Sequence, residues 1–278
     1  MGAEVIRLPH RAGPAHARNV GVKQAKEDVV LFIDSDCVAH ADVVERVRAS
    51  FAEHPDMVSL TGSYDDTPPE QNFFSQYMNL RHHFIHQQAN TEDASFWAGC
   101  GAVLRDVYER VNGFNAERFP MPMIEDIELG LRLKQHGATR LDRSLHVKHL
   151  KKWTLRSVIE TDIKSRAMPW SKLIMDTGRM PNDLNLRWSQ RISAALAPFV
   201  IGGLAITPVL AATGQWIAIP AALTPAAVSV LIQREMLLFF TRARGPAFGA
   251  GAWLFHQVHL MYSAATYAYC LATHRPPS

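Results

Sequence analysis

Hydrophobic and polar positions along the chain follow two regimes, and the change comes near residue 190. Before it, short apolar runs alternate with amphipathic segments. The run "VVLFI", Val29 to Ile33, is uninterrupted and made of β-branched or bulky residues, which suits a strand buried on both faces of a parallel sheet. "GPAHARNVGVKQAKED" ahead of it reads as a helix, with Pro14 where a first turn tolerates it. "ADVVERVRASFAEHP" places Val43, Val47 and Phe51 on one helical face and stops at Pro55. "MVSLTGSY" alternates as a strand does, "NFFSQYMNLRHHFIHQQ" reads as an aromatic-rich amphipathic helix, and "AGCGAVLR" as a short strand entered through glycines. In "MPMIEDIELGLRLKQHG" the residues Ile124, Ile127 and Leu131 share a helical face, and Gly137 marks the end of that helix. The alternation predicts an α/β fold.

After residue 190 the pattern is continuously apolar. No charged residue occurs from Ile192 to Gln233, about twice the ~20 residues that one membrane span requires. The stretch predicts a two-helix hairpin turning near Thr213-Gly214-Gln215. A second uncharged stretch, Gly245 to Thr273, is long enough for a third helix but carries His256 and His259. Arg187 and Arg191 precede the hairpin, and Arg234, Arg242 and Arg244 follow it, so the positive-inside rule keeps the N-terminal region cytoplasmic. The expected organisation is an α/β part over 1–150, a basic amphipathic membrane-proximal segment over 151–191 and a transmembrane region of two to three helices over 192–278, multi-pass in the cytoplasmic (inner) membrane. A pair of buried helices in a soluble domain, broken by Pro198, Pro208, Pro220 and Pro225, is the alternative.

Charge refines this picture. Lys and Arg number 29 against 26 Asp and Glu, too even a balance to indicate a nucleic-acid binder. The excess is local: from Arg143 to Arg191 eleven Lys or Arg face four acids, and this segment, with Trp153 and Trp170, is expected to lie along an anionic membrane surface. Cys37, Cys100 and Cys270 are widely separated and lack zinc-site spacing, as in a reducing compartment. The first fourteen residues hold no apolar stretch of signal-peptide length.

Candidate chemistry sits in two acidic clusters. Asp34 and Asp36 follow directly on the Val29 strand, at the end where ligands of open α/β sheets bind, and side chains at i and i+2 can meet one hard cation such as Mg²⁺. A turn that merely ends the strand would use the same residues. Glu125 and Asp126 fall in a first helical turn, where the helix dipole favours negative charge, behind the irregular loop "ERFPMPM".

Taken together, "GPAHARNVG", "FIDSDC", "WAGCGAVLRDVYERVNGFN" and "EDIELGLRL" resemble, in order and rough spacing from about Gly13 to Leu133, the motifs of glycosyltransferase family 2, inverting enzymes of the GT-A fold. The resemblance implies a GT-A-like (Rossmann-like) mixed sheet and a hexosyltransferase acting on a nucleotide-diphospho-sugar, with a lipid-linked or membrane-proximal acceptor. Asp34 and Asp36 would hold Mg²⁺ or Mn²⁺ on the diphosphate, joined by His149 or, less suitably, His146. Asp126 would be the general base with Glu125 beside it. Arg18 and Asn19 would approach the donor, and Trp97, Gly99 and Gly101 would shape the acceptor side. The processive members' Gln-x-x-Arg-Trp motif is not met by "SRAMPW" with Arg166 and Trp170, which disfavours a polymerase. Relatives begin with a strand-helix-strand unit carrying the base-binding acids, and only 28 residues precede Val29 here, so a sheet short of its first strands is expected. Two other functions fit parts of the sequence. "DSDCV" also satisfies the Asp-x-Asp-x-[Thr/Val] signature of haloacid-dehalogenase-like phosphatases, with Asp34 as nucleophile and Asp36 as acid, and an inactive membrane-anchored scaffold would keep the hairpin without catalysis.

Overall fold

The structure, a computed structural model, describes residues 3–180 and 182–275. The chain forms two compact units, one of residues 1–71 and 86–152, the other of 72–85 and 153–278. The first unit is interrupted by the segment 72–85, which belongs to the second unit.

The first unit contains α1 (Gly13–Gln24), β1 (Val29–Ile33), β2 (Cys37–Ala39), α2 (Val43–Glu53), β3 (Met57–Tyr64), the end of α3 (Phe73–Gln88), β4 (Cys100–Leu104), α4 (Arg105–Arg110), α5 (Glu125–Leu133) and β5 (Ala138–His149). The sheet order is β1-β4-β3-β5-β2. Only β3 and β5 pair in parallel; β1–β4, β3–β4 and β2–β5 are antiparallel. The expectation of a parallel, fully buried Val29 strand is therefore corrected. β1 is an edge strand against β4 alone, and Phe32 is its one fully buried residue. Helices nonetheless cover both sheet faces. Phe32 packs with Ala15, Val22, Phe96, Tyr108, Phe114 and Leu129 on one side, while Leu31 and Ile33 pack with Val43, Val47, Leu60 and Leu145 on the other. β1 and β2 lie at opposite ends of the strand order yet are joined by Asp34, Ser35 and Asp36 alone. Four Cα steps reach at most about 14 Å, so the two sheet edges converge at this end.

Two helix readings change. The core face of α5 is Leu129 and Leu133 with Glu125, not the Ile127–Leu131 face, and the helix ends at Leu133, before Gly137. Residues Ser75 to Arg81 of α3 are all buried, so that helix is enclosed rather than amphipathic.

The second unit adds α6 (Leu155–Thr161), a π-helical turn Asp162–Ala167, α7 (Met168–Thr177), α8 (Trp188–Ala212), α9 (Ile219–Ile232), α10 (Arg234–Arg244) and α11 (Pro246–Thr273). Its aromatic core joins Tyr77, Met78 and Leu80 of α3 to Met236, Phe240 and Ala252. Trp153, expected on a membrane surface, is instead buried in this core at 2 % exposure. α8 and α9 form the expected hairpin, turning at Gly214, whose φ is 74°. A Cβ on Gly203 would lie 2.0 Å from the Ala222 carbonyl oxygen, so a hydrogen there lets the two backbones touch, as small residues do in membrane helix pairs. Among the described residues one helix, α8, is by itself long and apolar enough to cross a membrane; the pair Trp216–Ile232 and Arg234–Arg244 passes together but bends by 73°.

Candidate functional site

The first acidic cluster is positioned by sheet register. β1 ends at Ile33, and the Asp34 N–H donates to the Gly99 carbonyl (3.3 Å) in continuation of the β1–β4 ladder. The Cys37 N–H turns back to the Asp34 carbonyl (2.9 Å), and the Leu150 N–H donates to the Asp36 carbonyl (2.8 Å). Cys37 thus pairs with His149, and the Asp36 carboxylate stands 3.6 Å from His149 Nε2. His149 is buried and Asp36 half-exposed. The imidazole lowers the Asp36 pKa, overcoming the opposing effect of burial. His149 stacks on Tyr64 (centroids 4.2 Å apart, 10° between planes), and Tyr64 meets the Trp97 ring edge-on at 4.7 Å. Gly99 is required here, since a Cβ would lie 2.1 Å from the Trp97 ring; Gly101 likewise makes room for Phe96. Burial and the charges of Asp34 and Asp36 push the Cys37 thiol far up, which favours its protonated form.

The second cluster is tied to the first by Arg18. From α1 its guanidinium donates to Asp34 Oδ1 at 2.6 Å and to Glu125 Oε1 at 2.8 Å. Burial opposes its charge, but Asp34, Glu125 and Asp126 together outweigh burial and raise its pKa. α1 is held in place by Gly13, whose φ of 77° and whose missing Cβ, 2.2 Å from the Pro120 carbonyl oxygen, seat its start against the "ERFPMPM" loop. Glu125 is completed by the Met123 N–H (2.8 Å). Among the described residues no side chain donates to Asp126. The N–H groups of Ile127 (2.8 Å) and Ala98 (3.3 Å) fix its two oxygens, and burial together with the adjacent Glu125 pushes its pKa up to about 7.

Other expected residues are placed differently. Asn19 spends its amide on the chain: Nδ2 donates to the Phe114 carbonyl (2.8 Å), while Oδ1 accepts from the Phe114 N–H (2.9 Å) and the Tyr108 hydroxyl. It anchors a loop, which leaves Arg18 as the donor-side candidate of that pair. His146 packs against the His40 ring. The three-ligand set Asp34–Asp36–His149 is not assembled, because among the described residues no three His, Cys, Asp or Glu side chains converge on one point. The donor chemistry still fits a divalent ion in part: Asp36 and His149 form an oxygen–nitrogen pair, and Asp34 is neutralised by Arg18. Sequence reasoning did not single out Tyr64, although its place at the end of the alternating strand over Met57–Tyr64 pointed to this end of the sheet.

The family described as Glycosyl transferase family 2 matches residues 1–111. That bears out the resemblance carried by the motifs, and the family is one of transferase enzymes. No curated protein matches the chain. Among solved structures, the chain is similar to the mannosyltransferase PcManGT from Pyrobaculum calidifontis in complex with GDP-Man and Mn2+, at 17% identity, covering 94% of this chain and 68% of that one, with a TM-score of 0.42. It is also similar to S. aureus TarS 1-349 (15% identity, 95% and 73% covered, TM-score 0.39) and to the same protein in complex with UDP-GlcNAc (17%, 95% and 71%, 0.43).

Proposed function

With residues 1–111 those of a family 2 glycosyltransferase, we propose that the chain transfers a sugar from a nucleoside-diphosphate sugar to a hydroxyl of a lipid-linked or membrane-proximal acceptor, with a divalent cation at Asp36 and His149 and Asp126 as base. The observation that carries this reading is the Arg18 bridge. It joins the Asp-Ser-Asp and Glu-Asp motifs, 16 and 107 residues away from Arg18 in sequence, into one electrostatic unit. Within it, Asp126 is the carboxylate with no cationic hydrogen-bond donor, and a value near 7 suits removal of a hydroxyl proton as the bond to sugar forms. Its two backbone N–H partners keep it from swinging away. Arg18 balances Asp34 and Glu125, and Tyr64 holds the His149 ring flat beside Asp36. A cation held there would act as a Lewis acid on the leaving diphosphate, with Mg²⁺ or Mn²⁺ as the suitable ions.

Membrane attachment through α8 and α9 completes the proposal, with the first unit on the cytoplasmic side. Its support is the length and apolar composition of α8, the exposed Trp188 under the Arg191 guanidinium (4.7 Å) at one end, and the exposed Trp216 and Ile217 at the other. These are the belts expected at two interfaces. The test uses the whole chain in lipid nanodiscs with labelled nucleotide-sugars and a membrane lipid extract, alongside calorimetry with Mn²⁺ and UDP or GDP. Metal-dependent nucleotide binding that survives an Asp34→Ala, Asp36→Ala double variant would refute the donor site.

A further inference from the structure

α11, the longest helix among the described residues, turns an apolar stripe outward. Along α11 the exposed positions Leu254, Val258, Met261, Ala265 and Tyr269 recur at spacings of four, three, four and four, which is a single stripe on a 3.6-residue helix. Leu254 is 50% exposed and Tyr269 59%. The opposite, buried face carries the polar groups. His256 is hydrogen-bonded to the Tyr77 hydroxyl (2.9 Å). His259 lies between the Asp162 carboxylate (Nδ1, 3.0 Å) and the Arg81 guanidinium, which donates to Nε2 at 2.7 Å. Tyr262 donates to the same carboxylate (2.7 Å), and Gln257 joins Gln233 and Ser229. Ala252, Leu260 and Cys270 share this buried face, yet both histidines and the glutamine of the helix lie on it while an apolar stripe is turned outward.

We infer that the outer face of α11 is covered by lipid acyl chains. Three further observations favour lipid over a protein partner. From Gly245 to Thr273 there is no Asp, Glu, Lys or Arg, so the stripe itself offers none of the charged groups that protein interfaces keep at their rims. The Thr266 and Thr273 hydroxyls donate to the carbonyls of Tyr262 and Tyr269 (2.8 and 2.7 Å), so they leave no unsatisfied donor to the surroundings. α11 also packs against α8, the helix already long and apolar enough to cross a bilayer. The ionisable groups are gathered inward, the arrangement that a low-dielectric exterior imposes.

This inference rests on the membrane reading of α8, and the experiment separates the two. Single cysteines at Leu254, Val258, Met261 or Tyr269 on α11, and at Phe199 or Ile206 on α8, are labelled with bimane in the full chain. Each is then placed in nanodiscs with nitroxide-bearing acyl chains or with aqueous iodide, and the labelled parent serves as background. The expected result is strong quenching by nitroxide lipid and little by iodide at both sets of positions. Lipid quenching on α8 with iodide quenching on α11 would overturn the inference and leave the hairpin standing. Iodide quenching at both would remove both. Disulfide-linked dimers through Met261→Cys without lipid quenching would assign the stripe to a second copy and also overturn the inference. With four α11 positions, a variant that fails to fold leaves the others to decide.

Discussion

Asp126 is held in a setting that favours its protonated form, and the sign of the consequence follows from linkage. Its pKa rises from an ordinary 3.8 to about 7 in the fold. Its contribution to stability is therefore full below about pH 4 and is lost as pH climbs through about 7, whereas its use as a base grows over the same interval. Turnover should rise towards neutral pH while the thermal midpoint drifts down. Asp126→Asn should remove the acid-side rise of the rate profile and lower turnover by about 10²- to 10⁴-fold with donor binding nearly unchanged; full turnover in the Asn variant would return this carboxylate to a structural role. Arg18 is one of the charges that hold the Asp126 value down. Arg18→Gln should displace the limb to higher pH and, by stranding the buried Glu125, cost about 1–3 kcal/mol in an unfolding titration. Tyr64→Leu should weaken Mn²⁺ binding measured by calorimetry while turnover at saturating metal is retained, because the stack orients His149 and touches no reacting atom. The carboxylates were legible in the sequence because short motifs carry them. The bridge was not, because nothing in a local pattern reports a contact across 107 residues.

At the scale of elements, periodicity reports how deeply a segment is buried and says little about which neighbour it pairs with. Val29–Ile33 was recognised as a strand from composition, yet its antiparallel pairing with β4 depends on the direction of a segment some seventy residues later. α5 shows the same limit. Leu129 and Leu133 were in plain view, but Glu125 shares their buried face because Arg18 arrives from α1, and an acid is not counted as core by any hydrophobic pattern. The α8–α9 turn was legible because uncharged length and a glycine mark it directly. Its close packing makes a sharp prediction: Gly203→Val should force the two helices apart and lower the detergent-solubilised thermal midpoint, whereas Gly202→Ala, at a position whose Cβ would meet nothing within 4 Å, should leave it unchanged. Equal midpoints for the two variants would show that the close approach is dispensable.

At the scale of the whole molecule, the apolar exteriors of α8 and α11 predict that carbonate and high-salt washing leave the chain in the membrane pellet; complete release would show that α8 does not cross. The discontinuity of the second unit bears on time as well as on space. Tyr77 finds its partner His256 only 179 residues later in the chain. At 5–20 residues per second of synthesis, Phe73, Tyr77 and Leu80 wait roughly 10–35 s after emerging before α11 exists to shelter them. The first unit can pair most of its strands during that interval, since β5 is complete at His149. α3 is then an aromatic segment left open during translation until α11 is made and closes over it.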